Sequence, residues 1–197
     1  MFERTHETCL NAVRRFGSAR QGVVAIEIAL LGLPFFLLII GVVVVGFMMF
    51  CHSTLDYATQ RASRQIMVGT PQSQSMSVGT FTTQVMCPFL PSPLFDCSKV
   101  VINLKVVPET WEPTAWYGYV NASQTGLTMP ALSNAQNSFC LGAGNSYQLL
   151  EVLYPLPVYL SVFGTASTVV QNKFVIMSTA AFKNEPFQGA GATGSGC

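Results

Sequence analysis

The chain has 197 residues, of which 50% are hydrophobic and 10% are charged. A soluble protein carries charge on roughly a quarter of its residues. This composition therefore favours a membrane span joined to a single domain of about 120 residues. The formal net charge is +1, which leaves no basic surplus for nucleic acid, so we expect no nucleic-acid partner.

Residues 1–22 are polar and mildly basic, and we interpret them as a cytoplasmic leader without a fold of its own. Two acids, Glu3 and Glu7, are outnumbered there by four basic residues, Arg4, Arg14, Arg15 and Arg20. Positively charged flanks stay on the cytoplasmic side of a span. The residues that follow the span are therefore expected outside the cytoplasm.

Residues 23–50 are predicted to form a transmembrane helix. No residue ionises from Ile28 to Phe50, and as a helix this run would be about 35 Å long, against a bilayer core of about 30 Å. The run is too long for a secretory signal peptide, and no small-residue cleavage site follows it, so we expect a retained anchor. Pro34 removes one backbone donor and should bend or locally open the helix.

Glu27 is the one charged residue between Gly22 and Phe50. A carboxylate at membrane depth is costly, so it requires a partner or a function. The less specific interpretation is a side chain that reaches back to the membrane interface.

Residues 51–69 are predicted to continue the helix beyond the span. Their apolar side chains recur at steps of three and four, which is the spacing of one helix face: Cys51, Leu55, Ala58, Ala62 and Ile66. The small Ala58 and Ala62 leave room for another helix to pack closely. Gly69 and Pro71 should end the helix.

Residues 76–197 are predicted to form a small α+β head, in which about three to four antiparallel strands and one short helix bury a shared apolar face. A linker, 70–75, precedes it. The short helix is expected over Met76–Met86, and the strands over Val100–Pro108, Tyr147–Tyr154 and Gln171–Phe182. Trp111–Val120 is expected to be a further strand or an aromatic loop. A long loop, Asn121–Gly144, a short apolar stretch, Val158–Phe163, and a glycine-rich tail, 188–196, complete the head.

Four cysteines lie in the expected head, namely Cys87, Cys97, Cys140 and Cys197. An exported domain lies in an oxidising compartment, where four cysteines allow three disulfide pairings. We favour Cys87–Cys97, because the two are close in sequence and prolines turn the chain between them. That choice leaves Cys140 with Cys197. The alternative is four reduced, buried thiols.

The head offers little for catalysis. The two histidines are His6 in the leader and His52 at the membrane edge, so no Ser/His/Asp or Cys/His nucleophile can be assembled in the head. The cysteines lack the CxxC spacing of a zinc site. We interpret the head's acids as solvated surface groups; they are Asp96, Glu109, Glu112, Glu151 and Glu185. We expect no enzyme, metal or cofactor, and we interpret the aromatic cluster at 111–119 as core or subunit contact.

Four features together resemble a known family: the stretch RQGVVAIEIALLGLP, its continuation LDYATQRASRQIMVGT, the cysteines that flank a proline-rich loop before VVINLKV, and the closing AAFKNEPF. The chain resembles the TadE-like minor pseudopilins of bacterial tight-adherence (Tad/Flp) pilus systems, in the type IV pilin superfamily. The resemblance covers roughly residues 22–69 well and the head loosely.

The resemblance implies that a prepilin peptidase cuts between Gly22 and Val23, which makes Glu27 the fifth residue of the mature chain. Glu27 would then neutralise the amine of a neighbouring subunit and fix the register of assembly. The implied protein crosses the bacterial inner membrane once, places its head in the periplasm, and serves pilus assembly, adhesion and biofilm formation. Its partners would be the peptidase and the other minor pseudopilins and pilins of the system, and it could itself enter the extracellular pilus.

A second hypothesis remains open. The chain would be a single-pass inner-membrane protein whose periplasmic head binds a partner or ligand and never polymerises.

Overall fold

A computed structural model of the chain describes residues 21–107, 123, 131–157, 169–170, 173–187, 193–195 and 197. It divides into two compact units, with the boundary between Met49 and Phe50. The predicted stretches Trp111–Val120 and Val158–Phe163 lie outside the described residues, as does the leader through residue 20.

The first described element is a long helix, α1, which spans Gln21–Met67 and contains Pro34. In an apolar medium a helix satisfies its own backbone hydrogen bonds, and the β-branched and leucine-rich run after Gly22 suits that state. The predicted helical continuation beyond residue 50 is confirmed, since α1 runs on to Met67.

Gly69 turns the chain at the end of α1. Its φ is 85°, a left-handed conformation that glycine adopts without a steric penalty. A one-turn helix, α2, follows at Thr70–Ser73 with Pro71 in its first turn. The predicted linker over 70–75 is therefore wrong in part, because proline at the start of a helix favours a further turn.

The predicted short helix over Met76–Met86 is confirmed. Helix α3 spans Val78–Phe81, and the Ser77 side chain caps it by accepting a hydrogen bond from the backbone N–H of Thr80. It continues as a π-helical turn at Thr82–Met86 and a 3-10 turn at Cys87–Phe89. A second 3-10 turn lies at Cys97–Lys99.

The described strands form one sheet with the order β4-β5-β3-β1-β2-β6. Their bounds are β1 Val101–Val107, β2 Phe139–Leu141, β3 Tyr147–Pro157, β4 Val169–Val170, β5 Lys173–Lys183 and β6 Thr193–Ser195. The three long strands are antiparallel neighbours, with Asn103 opposite Glu151 and Glu151 opposite Thr179. Together with the helices this confirms the α+β class.

Several details of the sheet differ from the prediction. The described part holds six strands rather than three or four, and one pair, β1 with β2, is parallel. The predicted loop Asn121–Gly144 contains β2, and the predicted glycine-rich tail contains β6, which pairs with β2. Strand β3 continues through Pro155 and Pro157. The pairing of β3 with β1 ends at Leu153, so the two prolines lie where β3 has no neighbour on the β1 side. Proline is tolerated along such an unpaired edge.

The main core lies between the helices and one face of the sheet. All five residues of the predicted apolar stripe are fully buried there: Cys51, Leu55, Ala58, Ala62 and Ile66. They share this core with Phe81 and Met86 and with β-strand residues such as Leu104 and Leu150. Ala58 and Ala62 therefore pack within the head, and the prediction that they accommodate another helix is wrong.

The opposite face of the sheet carries a smaller cluster, formed by Val101, Leu153 and Val175 with Leu132 packed against it. Glu151 lies on this face at 3% exposure, and its Oε2 accepts a hydrogen bond of 2.6 Å from Nδ2 of Asn103. The prediction that Glu151 is a solvated surface acid is therefore wrong. A buried carboxylate needs such a donor.

Two disulfides, Cys87–Cys97 and Cys140–Cys197, join the four cysteines. These are the pairings favoured from the sequence. The first closes the proline-rich loop before β1. The second ties β2 to the residue that lies just beyond β6.

Candidate membrane and assembly segment

The first unit contains a run of exposed apolar side chains along α1. Between Val24 and Phe50 the large hydrophobic residues reach 72% exposure at Leu30 and 71% at Leu31. An 18-residue window of this helix has a mean hydropathy of 3.0, and none of it is buried. A core helix of a soluble protein buries such side chains, so this helix has the length, composition and exposure of a membrane span.

Glu27 lies within this run. The carboxylate is exposed and lies between Ile26 and Ile28, whose side chains are 67% and 66% exposed. The ion pair found among the described residues joins Lys99 to Asp96, so no cation in the described ranges neutralises Glu27. The side chain thus has an apolar surrounding and no charge partner within that part of the chain.

Gly22 and Val23 lie within α1, and the cleavage between them stays a prediction. Pro34 lies inside the continuous helix, and its effect on the helix axis also stays a prediction.

Around three glycines of the span, the described residues leave room for a Cβ. A Cβ added at Gly41 or Gly46 would meet nothing within 4 Å, and one at Gly32 would lie 3.9 Å from the Phe36 ring. Small residues allow the close approach of neighbouring helices in a membrane. The three positions are therefore sites where another helix could approach the backbone.

The closing motif AAFKNEPF is placed against the C-terminal end of α1. The backbone N–H of Glu185 donates to the carbonyl of Met67 at 2.9 Å, which satisfies one of the unpaired carbonyls that end every helix. Asn184 is buried, and its Nδ2 donates to the carbonyls of Gly142 and Ala143. A Cβ at Gly69 would lie 2.8 Å from the ring of Phe187. The motif can be identified from the sequence, but its contact with the end of α1 arises only on folding.

A polar contact also fixes the side of α1 that faces the sheet. The Ser178 hydroxyl on β5 donates to Oδ1 of Asp56 at 2.7 Å. Asp56 is half-buried and thus borders the core.

The remaining candidates for chemistry do not assemble into a site in the described part of the chain. No group of three or more His, Cys, Asp or Glu residues there could hold a metal ion. Asp96 and Glu185 are exposed, whereas Glu109 and Glu112 lie outside the described residues. Cys51 is buried and is not in a disulfide.

Comparison with known proteins gives one match. Residues 22–64 match the family model described as TadE-like protein. The matched residues lie within α1, and they begin at Gly22, include Glu27 and end within the buried stripe. No curated protein and no solved structure matches the chain. The resemblance predicted from the sequence is thus confirmed over this segment.

Proposed function

We propose, from the TadE-like match of helix α1, that the chain is a minor pseudopilin needed for assembly of a tight-adherence pilus. A prepilin peptidase would cut after Gly22, and the mature chain would cross the inner membrane once with its head in the periplasm. The observation that carries this proposal is Glu27, an exposed carboxylate in an exposed apolar helix, at the fifth position after the proposed cleavage site.

The proposal explains why selection would tolerate a costly charge. A carboxylate in lipid is unfavourable by a few kcal/mol unless it is paired. Cleavage before Val23 would create a positively charged amine at the same membrane depth on every mature subunit. When helices pack side by side, the amine of one subunit can neutralise Glu27 of its neighbour and thereby fix their axial register.

The glycines of the span support the same arrangement. A Cβ added at Gly41 or Gly46 would meet nothing within 4 Å among the described residues, and small residues let membrane helices approach each other closely. The structure contains no second helix beside the span within the described residues. The partners proposed here are the other minor pseudopilins and pilins of the system.

The experiment is a pair of substitutions in the bacterium that encodes the chain. Glu27→Ala should leave the amount of protein in the membrane unchanged but abolish pili, because the neighbouring amine loses its carboxylate. Leu31→Ala is the matched control, since Leu31 is also exposed in the same helix and carries no charge; it should retain pili. Pili would be counted by electron microscopy, and protein amount by immunoblot.

Normal pili in the Glu27→Ala strain would contradict the proposal. The hypothesis of an anchored head that binds a partner without polymerising would then be preferred. An immunoblot of pili sheared from the cells would test separately whether the chain itself enters the fibre.

A further inference from the structure

Three buried side-chain amides lie close together in the head, and we call them the amide cluster: Gln72, Gln148 and Asn184. They come from α2, from β3 and from the closing motif, and their exposed fractions are 6%, 1% and 2%. An amide that loses its hydrogen bonds to water is costly at such burial. Each member of the cluster therefore needs a partner for its NH2 group and for its oxygen.

The three amides meet around Gly142. Nδ2 of Asn184 donates to the Gly142 carbonyl at 3.1 Å. Nε2 of Gln72 lies 3.4 Å from the same oxygen and donates to the Ile66 carbonyl at 3.1 Å. A Cβ on Gly142 would collide with Nε2 of Gln148, so the third amide lies against the same residue. The cluster therefore joins the last turn of α1, strand β3 and the closing motif.

Four buried atoms of the cluster have no hydrogen-bond partner among the residues that the structure describes. They are Oε1 of Gln72, Oδ1 of Asn184, and both Oε1 and Nε2 of Gln148. Buried side-chain polar atoms nearly always have a partner, which is either protein or ordered water. The four atoms are three acceptors and one N–H donor, so a group that satisfies them must both donate and accept hydrogen bonds.

Water has this combination, and a buried water makes about three hydrogen bonds. A cation would be attracted by the oxygens but repelled by the N–H donor of Gln148, and the cations that bind oxygen in proteins favour sites with carboxylates. The hydrogen bonds recorded for the cluster's side chains run to backbone carbonyls and to the Ser146 hydroxyl. An apolar group would leave all four atoms unpaired. The chemistry of the cluster therefore selects water.

We propose that the amide cluster is a binding site for internal water. One molecule accepts from Nε2 of Gln148 and donates to Oε1 of Gln72 and Oδ1 of Asn184, and a second donates to Oε1 of Gln148. The water links the helix end, the sheet and the closing motif, in addition to the direct hydrogen bond from Glu185 to Met67. The site lies wholly in the head, so it does not depend on whether the chain enters a pilus.

The experiment uses the isotope-labelled full chain in detergent micelles. NOE and ROE cross peaks between water and side-chain NH2 protons are recorded by NMR. Long-lived water gives NOE and ROE peaks of opposite sign, whereas short-lived hydration and proton exchange give peaks of the same sign. Opposite signs are expected at all three amides of the cluster. Gln84, exposed on the π-helical turn, is the control and should not show them.

A matched pair of variants tests whether the three amides share the water. Gln148→Met removes both unpaired atoms of Gln148 at similar side-chain volume, and it should abolish the water peaks at Gln72 and Asn184. Gln84→Met makes the same change at an exposed position and should leave those peaks unchanged. Magnetic relaxation dispersion of the water signal counts long-lived waters, and this count should fall in the first variant alone. The peaks of the unsubstituted chain decide the question by themselves if Gln148→Met does not fold.

Four results would overturn the inference. The first is the absence of opposite-sign peaks from all three amides. The second is an NOE that pairs the Gln148 amide with a protein group outside the described residues, because that group would then be its partner. The third is a shift of the three amide resonances on titration with Na⁺ or Ca²⁺, which would identify a cation as the occupant. The fourth is a set of water peaks at Gln72 and Asn184 that persists in Gln148→Met.

Discussion

Gly69 turns the chain where α1 ends, and two features of its surroundings exclude a side chain. Its φ of 85° lies in the left-handed region, which costs a residue with a Cβ about 1–2 kcal/mol. A Cβ would also lie 2.8 Å from the Phe187 ring, closer than carbon atoms normally approach. The residue therefore couples the end of the helix to the closing motif.

Gly69→Ala should lower the free energy of unfolding of the head by about 2–4 kcal/mol, from the backbone strain and the overpacking together. Gly79→Ala is the control, because a Cβ there meets only the Ser77 hydroxyl, at 4.0 Å, and alanine favours helix. Chemical denaturation of the full chain in detergent measures both. Equal stability of the two variants would contradict the role assigned to Gly69.

The Asp96 carboxyl has a lowered pKa that can be measured at this single residue. The Ser98 hydroxyl donates to its Oδ1 at 2.6 Å. That bond, with Lys99 and the Ser98 backbone N–H, lowers the pKa of Asp96 from 3.8 to about 2. A carboxyl with a lowered pKa in the folded state stabilises the fold at pH values above 3.8, and this contribution is lost as the pH falls towards 2.

Ser98→Ala should therefore raise the pKa of Asp96 towards 3.8, because the strongest hydrogen bond to the ionised carboxylate is removed. The chemical shift of the Asp96 carboxyl carbon, followed by NMR between pH 1 and pH 6, measures the change. A midpoint that stays near 2 in the variant would mean that Lys99 and the Ser98 backbone N–H are enough to keep the pKa of Asp96 low.

At the scale of elements, β6 depends on the disulfide beside it. The strand has three residues, Thr193–Ser195, and pairs with β2 alone among the described strands. The Cys140–Cys197 bond, with a sequence separation of 57, holds this edge of the sheet, whereas Cys87–Cys97 spans only 10 residues.

Because the entropy of loop closure rises with length, Cys140→Ser with Cys197→Ser should cost about 4 kcal/mol, and Cys87→Ser with Cys97→Ser about 3 kcal/mol. Each double variant removes a bond without leaving a free partner thiol. Chemical denaturation of the oxidised full chain and of both variants shows which of the two disulfides contributes more to the free energy of unfolding. A larger loss for the Cys87 and Cys97 variant would show that strain or packing, rather than loop length, decides the effect.

The elements also show what a sequence can predict. The spacing from Cys51 to Ile66 predicted a buried helix face, because a periodic pattern reports burial directly. Strands β2 and β6 were missed because three residues are too few to show alternation. The burial of Glu151 was missed because it depends on Asn103, which lies opposite it only after β1 and β3 have paired.

The same distinction holds for the candidate site. Gly22 and Glu27 could be identified from the sequence because their meaning depends on spacing along one helix. The contact of Glu185 with Met67 and the amide cluster around Gly142 could not, because each joins residues brought together by folding.

At the scale of the whole molecule, the first unit exposes apolar side chains and the second encloses its own core. The first unit is therefore suited to lipid or to neighbouring helices, and the second to an aqueous compartment in which its two disulfides persist. The proposed function joins these properties through one event, the removal of the leader, which creates the charge that Glu27 would meet.

The identity of the N-terminal residue tests that event most directly. Protein recovered from the envelope of the native bacterium would be analysed by mass spectrometry, beside protein from a strain that lacks the prepilin peptidase. We predict a chain that begins at Val23 in the first strain and retains the leader in the second. A chain that still begins at Met1 in the strain with an active peptidase would contradict the proposed function.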